Sequence, residues 1–289
     1  MLNVLSIGGN ALDSSKNLEP VLEAMRILGK RGKVLITHGN GPQVGKLADI
    51  EDHESLALLT AQTEAEIGMR LQEEIAKSFS KKGARARVET VLTRVLVDKK
   101  DIAFKVPTKP IGRFYTAAQA AGLSRKFSMK LLIGGYRRVV PSPKPQKILN
   151  IDSIESLLER NNFVIAGGGG GIPITYKDSW FDFPEAVIDK DYTSALLAKS
   201  LRASRMFILT NIDGAYLGMR SKNPHKIGRI SAHELEQHAR YKEFEEGSMK
   251  PKVEACIDFA RSTGGIAAIG SIKNARKVVK LEGCTVVAP

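Results

Sequence analysis

"FVIAGGGGGIPI", residues 163–174, joins a run of strand-forming residues to five consecutive glycines. Glycine loses more backbone freedom on folding than any other residue, roughly 0.5–1 kcal/mol relative to alanine inside a regular element. A run of five therefore has to serve something that side chains would obstruct. Two readings stand open on this stretch alone: a flexible turn, or a backbone that curls around an anion and offers it N–H groups with no Cβ in the way.

The same grammar, strand and then glycine, occurs twice more along the chain. "NVLSI" (3–7) runs into Gly8-Gly9-Asn10, and "KVLITH" (33–38) runs into Gly39-Asn40-Gly41. Helical stretches intervene. Leu18, Val21, Leu22, Met25 and Leu28 recur at helical spacing, with Asn17 as a candidate N-cap and Pro20 in the first turn. A long helix is expected from about Glu54 to Phe79, followed by one strand over 87–97. Further on, 154–160, 191–201 and 249–264 read as helices, whereas 205–210, "IAAIGS" and "CTVVA" read as strands.

Strands alternating with helices predict the α/β class: a three-layer αβα sandwich with a mostly parallel central sheet. Residues 99–147 break the pattern. They carry Pro107, Pro110, Pro141, Pro143 and Pro145 and are expected to form an irregular insertion or small protruding subdomain. In such a sheet ligands gather at the carboxyl ends of the strands, so the three glycine turns should share one edge and one anion.

Composition narrows the partners. The chain has 289 residues, 43% hydrophobic and 26% charged, enough for one large domain or two lobes. Cys256 and Cys284 are isolated, with no disulfide or zinc pattern, which fits a reducing cytoplasm. Neither a secretory leader nor an apolar run long enough for a membrane is expected. The formal net charge is +13. "KKGARAR" (81–87) and "YRRVVPSPKPQK" (136–147) concentrate some of it, but without interleaved aromatics, so nucleic acid is the weaker reading and a field that draws small anions the stronger.

Familiar fingerprints fail here. "HGNGPQVGKL" ends in Gly45-Lys46-Leu47, without the hydroxyl that a Walker loop places on Mg²⁺. As a dinucleotide loop it lacks the acidic residue for ribose and must accommodate Pro42. The five histidines form no metal-binding pair, no metal site is indicated, and they read as surface residues. "AVIDKDYTSALLA" (186–198) is more telling: Asp189, Lys190 and Asp191 stand where a helix begins, and a lysine between carboxylates stays charged and fixed, although a solvated first turn would look the same. Lys250 and Lys252 lie at another helix start, where cations oppose the dipole unless an anion is near, and Lys109 is held between prolines in "PTKPIG".

Taken together these stretches resemble the carbamate kinases of the amino-acid-kinase superfamily. "SIGGNAL", "ITHGNGPQVG", "LTRVLVD", "GYRRVVPSPKP", "GGGGIPI", "AVIDKD", "LTNIDGAYL" and "GSMKPKVEA" occur in the family's order and run nearly end to end. The resemblance implies the reaction ATP + carbamate ⇌ ADP + carbamoyl phosphate, with Mg²⁺ accompanying the nucleotide, in a homodimer. It implies an acceptor lobe over 1–160, a protruding subdomain at about 99–147, and a nucleotide lobe over 161–289.

Carried over by motif, Gly8, Gly9, Asn10, Gly39, Asn40 and Gly41 would line the acceptor and the transferring phosphoryl group. Lys109 would reach the acceptor, Lys190 would stabilise phosphoryl charge, Asp191 would organise the cations, and Lys252 would hold the terminal phosphates. Gly168 and Gly169 would bind the nucleotide from between the lobes, with Asn211, Asp213, Gly214 and Tyr216 shaping the adenosine pocket. Two other readings remain: a kinase of the same fold acting on another small carboxylate, phosphate or phosphonate, and a nucleotide-binding protein without turnover.

Overall fold

The computed structural model describes residues 1–9, 15–50, 55–177, 180–219, 221, 223–241, 244 and 249–289. Eight strands form one sheet in the order 229–231, 285–288, 266–271, 205–210, 2–7, 33–38, 163–165 and 88–90. Every neighbouring pair is parallel except Ile266–Ser271 with Thr285–Ala288. The inner strands are apolar almost throughout because both faces are covered. In Leu2–Ile7 and Lys33–His38 every residue after the first is buried.

Pleating divides the core into two layers. Leu5 and Ile7 point toward helices Ser15–Gly29 and Leu56–Ser80, where Val21, Met25, Leu28, Ile67 and Leu71 meet them. Val4 points the other way, into a second core with Leu158, Leu197 and Phe259 from helices Ile151–Arg160, Lys190–Ser200 and Met249–Thr263. Each such side chain contributes about 1.5–3 kcal/mol by leaving water. Cys256 belongs to the second core and Cys284 to the first, and both are buried free thiols.

Three expectations change. The stretch 87–97 is two strands: Val88–Thr90 closes the large sheet, while Arg94–Val97 joins a four-stranded sheet with Pro145–Ile148, Ile172–Lys177 and Trp180–Asp182. The break lies at Thr93, whose N–H leaves the ladder for a side-chain carboxylate, Glu64. The helix expected to start after Asn17 begins at Ser15, so Asn17 lies inside it rather than capping it. The proline-rich insertion is regular: Lys109–Tyr115, Gly135–Val140 and Met129–Leu132 make an antiparallel sheet, with helix Ala117–Leu123 beside it. A capping box between Thr116 and Gln119 starts that helix. Among the described residues no helix is long and apolar enough to cross a membrane.

Strands 2–7, 33–38 and 163–165 are consecutive in the sheet and parallel, so the glycine turns that follow them share one edge. The turns touch one another. A Cβ on Gly39 would lie 2.8 Å from the Gly9 nitrogen.

Candidate active site

The helix Lys190–Ser200 starts on that edge, and its first turn is held by its own sequence. Asp189 is the N-cap, and its Oδ1 accepts the Asp191 N–H at 3.0 Å. Asp191, 1% exposed, is the hub of the site. Its Oδ1 lies 2.5 Å from Lys190 Nζ and its Oδ2 lies 3.0 Å from Lys252 Nζ, which reaches in from helix Met249–Thr263. Ser6, on strand Leu2–Ile7, completes the knot: its hydroxyl accepts from Lys190 Nζ at 2.7 Å and donates to Asp191 Oδ1 at 3.1 Å.

Burial pushes the Asp191 carboxyl up, but Lys190 and Lys252 outweigh it and hold the group well below the usual carboxylate range. Burial lowers Lys190, against the pull of Asp191. Burial also works against the Lys252 ammonium, yet Asp191 and Asp189 together hold it above its ordinary value. Pairs of this kind add little net stability, because desolvation offsets attraction. What they fix is position.

Lys109 arrives from the insertion. Strand Lys109–Tyr115 lies against helix Gly41–Ile50 so closely that a Cβ on Gly45 would stand 2.3 Å from the Gly112 nitrogen. Tyr115 Oη donates to Asp49 at 2.6 Å, and Arg137 donates to the Gly112 carbonyl at 2.7 Å. Val44, Ile111, Val140 and Val187 form a small apolar cluster beneath the joint. Lys109 Nζ then sits 2.5 Å from Asp189 Oδ2. The three lysines from three distant segments line one cleft of about 160 Å³, together with Gly39, Asn40 and Gly169.

The glycine run has a different use from the one its composition suggests. Gly168 donates its N–H to Glu64 Oε1 at 2.9 Å, and Gly167 donates to Thr93 Oγ1 at 2.7 Å. These amides therefore serve internal acceptors. Gly169 alone of the run lines the cleft, with φ +64° and a would-be Cβ 2.0 Å from Asn40 Nδ2. Only glycine fits there. Asn40 itself is buried and donates to Thr63 Oγ1 at 2.9 Å.

Behind the run lies a second titratable pair. Glu64 is buried on helix Leu56–Ser80 and also accepts the Thr93 N–H at 3.1 Å. Burial, against those hydrogen bonds, raises its carboxyl to about 8. His38 is fully buried, not on the surface as its isolation in sequence suggested, because it ends a central strand. Burial lowers its imidazole to about 4. Of the other histidines, His225 and His233 are exposed.

The remaining sequence-derived residues divide. Gly41 lines the cleft at the start of helix Gly41–Ile50, where unpaired amides favour an anion. Gly8 and Gly9 pack on Leu209 and Gly39 beneath it, and Asn10 lies outside the described residues. Asn211, Asp213, Gly214 and Tyr216 follow strand Arg205–Thr210 on the same edge, outside the lining of the cleft. Asp213 there accepts from Lys226 Nζ at 2.7 Å and from Tyr216 Oη at 2.8 Å. Lys250 lines a separate outer cleft with Lys144 and Glu254. Ser6 and Glu64 went unseen in the sequence: one reads as an ordinary strand residue, the other as one glutamate of several on a helix.

The profile of the amino acid kinase family matches residues 1–269. The carbamate kinase of Thermoplasma acidophilum is 37% identical over 98% of this chain and 98% of its own. "Carbamate kinase 3" of Staphylococcus aureus is 38% identical over 93% of each. Among solved structures, an Aeropyrum pernix protein superposes with a TM-score of 0.91 at 36% identity, covering 100% of this chain and 99% of its own. Carbamate kinase from Giardia lamblia, bound to AMP-PNP, superposes with a TM-score of 0.87 at 32% identity, covering 99% and 98%.

Proposed function

From a chain that belongs to the amino acid kinase family, and that matches carbamate kinases over nearly its whole length, we infer reversible phosphoryl transfer between ATP and carbamate, giving ADP and carbamoyl phosphate. The observation that carries the site is the sharing of one buried carboxylate, Asp191, by Lys190 and Lys252, in a cleft that Lys109 also lines.

Two anions must be brought together for this reaction, and charge must be dispersed on a loose transition state. Fixed cations and amides do that work. Lys190 meets the phosphoryl group in flight, Lys252 the terminal phosphates of the nucleotide, and Lys109 the acceptor from above. Asp191 holds the first two cations at set positions before substrate arrives, and Asp189 does the same for the third. Gly39, Asn40 and Gly41, with Gly8 and Gly9 behind them, form the floor on the acceptor side. Gly168 and Gly169 divide it from the nucleotide side, where Asn211, Asp213, Gly214 and Tyr216 border the adenosine.

Carbamate already carries a negative charge, so its oxygen attacks without a general base. His38, the buried histidine nearest in sequence to the glycine turns, does not line the cleft. Mg²⁺ fits as a companion of the nucleotide, since Asp189 and Asp191 are occupied by lysines and no group of three metal-ligating side chains exists among the described residues. On the phosphate oxygens it would supply further charge neutralisation. The lobes meet at the cleft, residues 1–160 carrying the acceptor side and 161–289 the nucleotide side, and the working unit is a cytoplasmic homodimer.

The test is ATP formation from ADP and carbamoyl phosphate in a coupled assay. Robust turnover that falls away when carbamoyl phosphate is replaced by acetyl phosphate is the expected result. A folded protein that makes no ATP from carbamoyl phosphate overturns the reading.

A further inference from the structure

The helical layer over Leu5 and Ile7 carries a cleft of about 600 Å³ that the kinase site does not use. It lies along the C-terminal half of helix Ser15–Gly29, the end that leads away from the glycine turns toward Lys33, and is closed by the turn after Phe79 and by helix Ala275–Val278. Six cations line it: Arg26, Lys30, Arg31, Lys82, Arg276 and Lys280, against the single carboxylate of Glu23. Arg26 is engaged by Glu19 and Glu23. The other five are exposed, and among the described residues their side chains have no ion pair or hydrogen bond. Lys82 belongs to "KKGARAR", the basic run that the phosphoryl-transfer chemistry leaves unexplained.

Surface cations usually spread apart or alternate with acids, because like charges at close range repel and a field of one sign destabilises the compact state. Five uncompensated cations around a concave surface of small-molecule size are therefore a cost with a matching use. A singly charged anion would leave the cleft strongly positive. A compact ligand carrying three to five negative charges would balance it, and the guanidinium forks of Arg31 and Arg276 suit phosphate oxygens taken two at a time. The floor is Ile27 and Phe79, both half-buried, so no protein carboxylate competes from below.

We propose that this cleft is a second anion site, separate from the kinase site, that binds a compact polyphosphate. Occupancy should raise thermal stability, since the ligand binds the folded cluster and not the dispersed cations of the unfolded chain.

The experiment is calorimetric titration of the full chain with inorganic triphosphate at about 150 mM salt, with the kinase site held saturated by ADP, paired with a thermal-shift measurement. One additional site, at least tenfold tighter for triphosphate than for orthophosphate, with a rise in Tm, is expected. Arg276→Glu with Lys280→Glu should weaken that site at least tenfold while leaving kcat and the KM for ADP unchanged. Lys30→Glu with Lys82→Glu, on the opposite wall, should do the same and stands in if the first pair misfolds. The proposal is overturned if no second site is seen, if both double variants bind triphosphate as the parent does, or if a single-stranded oligonucleotide binds where triphosphate does not.

Discussion

Asp191 and Glu64 are both carboxylic acids, both 1% exposed, one lining the cleft with Gly169 and the other bonded to Gly168 of the same glycine run, yet they are left in opposite states. Asp191 has two ammonium groups within 3.0 Å and stays ionised far into acid. Glu64 has two backbone N–H groups and, among the described residues, no cation paired with it, and its carboxyl climbs to about 8. Peptide dipoles satisfy the hydrogen-bonding capacity of a buried acid without cancelling the cost of its charge. The difference separates a group that anchors chemistry from one that anchors backbone.

The strongest way to break the comparison is Asp191→Asn. Lys190 and Lys252 would then lose the carboxylate they share, with Asp189 left as a counter-charge, at an expected cost of about 3–5 kcal/mol in unfolding free energy at neutral pH. Denaturant melts check this, and an unchanged midpoint would show that the lysines need no partner. In the parent protein the Asp191 contribution is present above the unfolded carboxyl value of 3.8 and is lost as pH falls below it toward the lowered folded value.

Next in size is Lys190→Ala, expected to lower kcat roughly 10²–10³-fold, the usual loss of a charge-stabilising donor, with less effect on KM. A loss in KM alone would place Lys190 on substrate binding instead.

Glu64→Gln tests the other carboxyl through its pH dependence. The folded chain keeps the Glu64 proton up to about pH 8, whereas the unfolded chain releases it near 4.5. Stability from this group is therefore full below about pH 4.5 and falls as pH rises toward 8. Glutamine does not titrate, so the parent should lose about 3–4 kcal/mol relative to the variant between pH 5 and pH 8. Parallel stability curves over that range would mean that Glu64 is ionised in the fold. His38 acts at the other end: its contribution is intact above pH 6.5 and is lost as pH falls toward 4.

The smallest effect is expected at Ser6→Ala, about 1 kcal/mol, seen as a several-fold fall in kcat. Ser6→Thr restores the hydroxyl and should recover part of it. If alanine leaves kcat untouched, Asp191 and Lys252 alone set the position of Lys190.

These residues also mark where the sequence stops being legible. Alternating strands and helices, and three strands each ending in glycine, give the sheet and its active edge because both signals are local. Asp189-Lys190-Asp191 at the start of a helix is local as well. Ser6 is not: its role depends on a helix that begins 184 residues later. Glu64 was hidden by its helix, where glutamates are ordinary, and its meaning comes from Thr93 and Gly168 far along the chain. The strands of the insertion were masked by prolines and glycines, since Pro110 sits in one strand and Gly112 beyond it takes a left-handed turn at φ +70°. The glycine run misled in an instructive way. One of its amides, that of Gly168, does meet a carboxylate, but that carboxylate belongs to the protein.

The chain has two cysteines, each enclosed in one of the cores, and burial pushes both thiols well above the ordinary range, Cys284 to about 11. Thiolate, the reactive form, is therefore scarce at neutral pH, and access is closed as well. Maleimides should leave the native enzyme unlabelled, so a single cysteine placed on the exposed helix Ala117–Leu123 would carry a fluorophore alone. The insertion could then be tracked relative to the sheet during turnover without first stripping the molecule of its own sulfur.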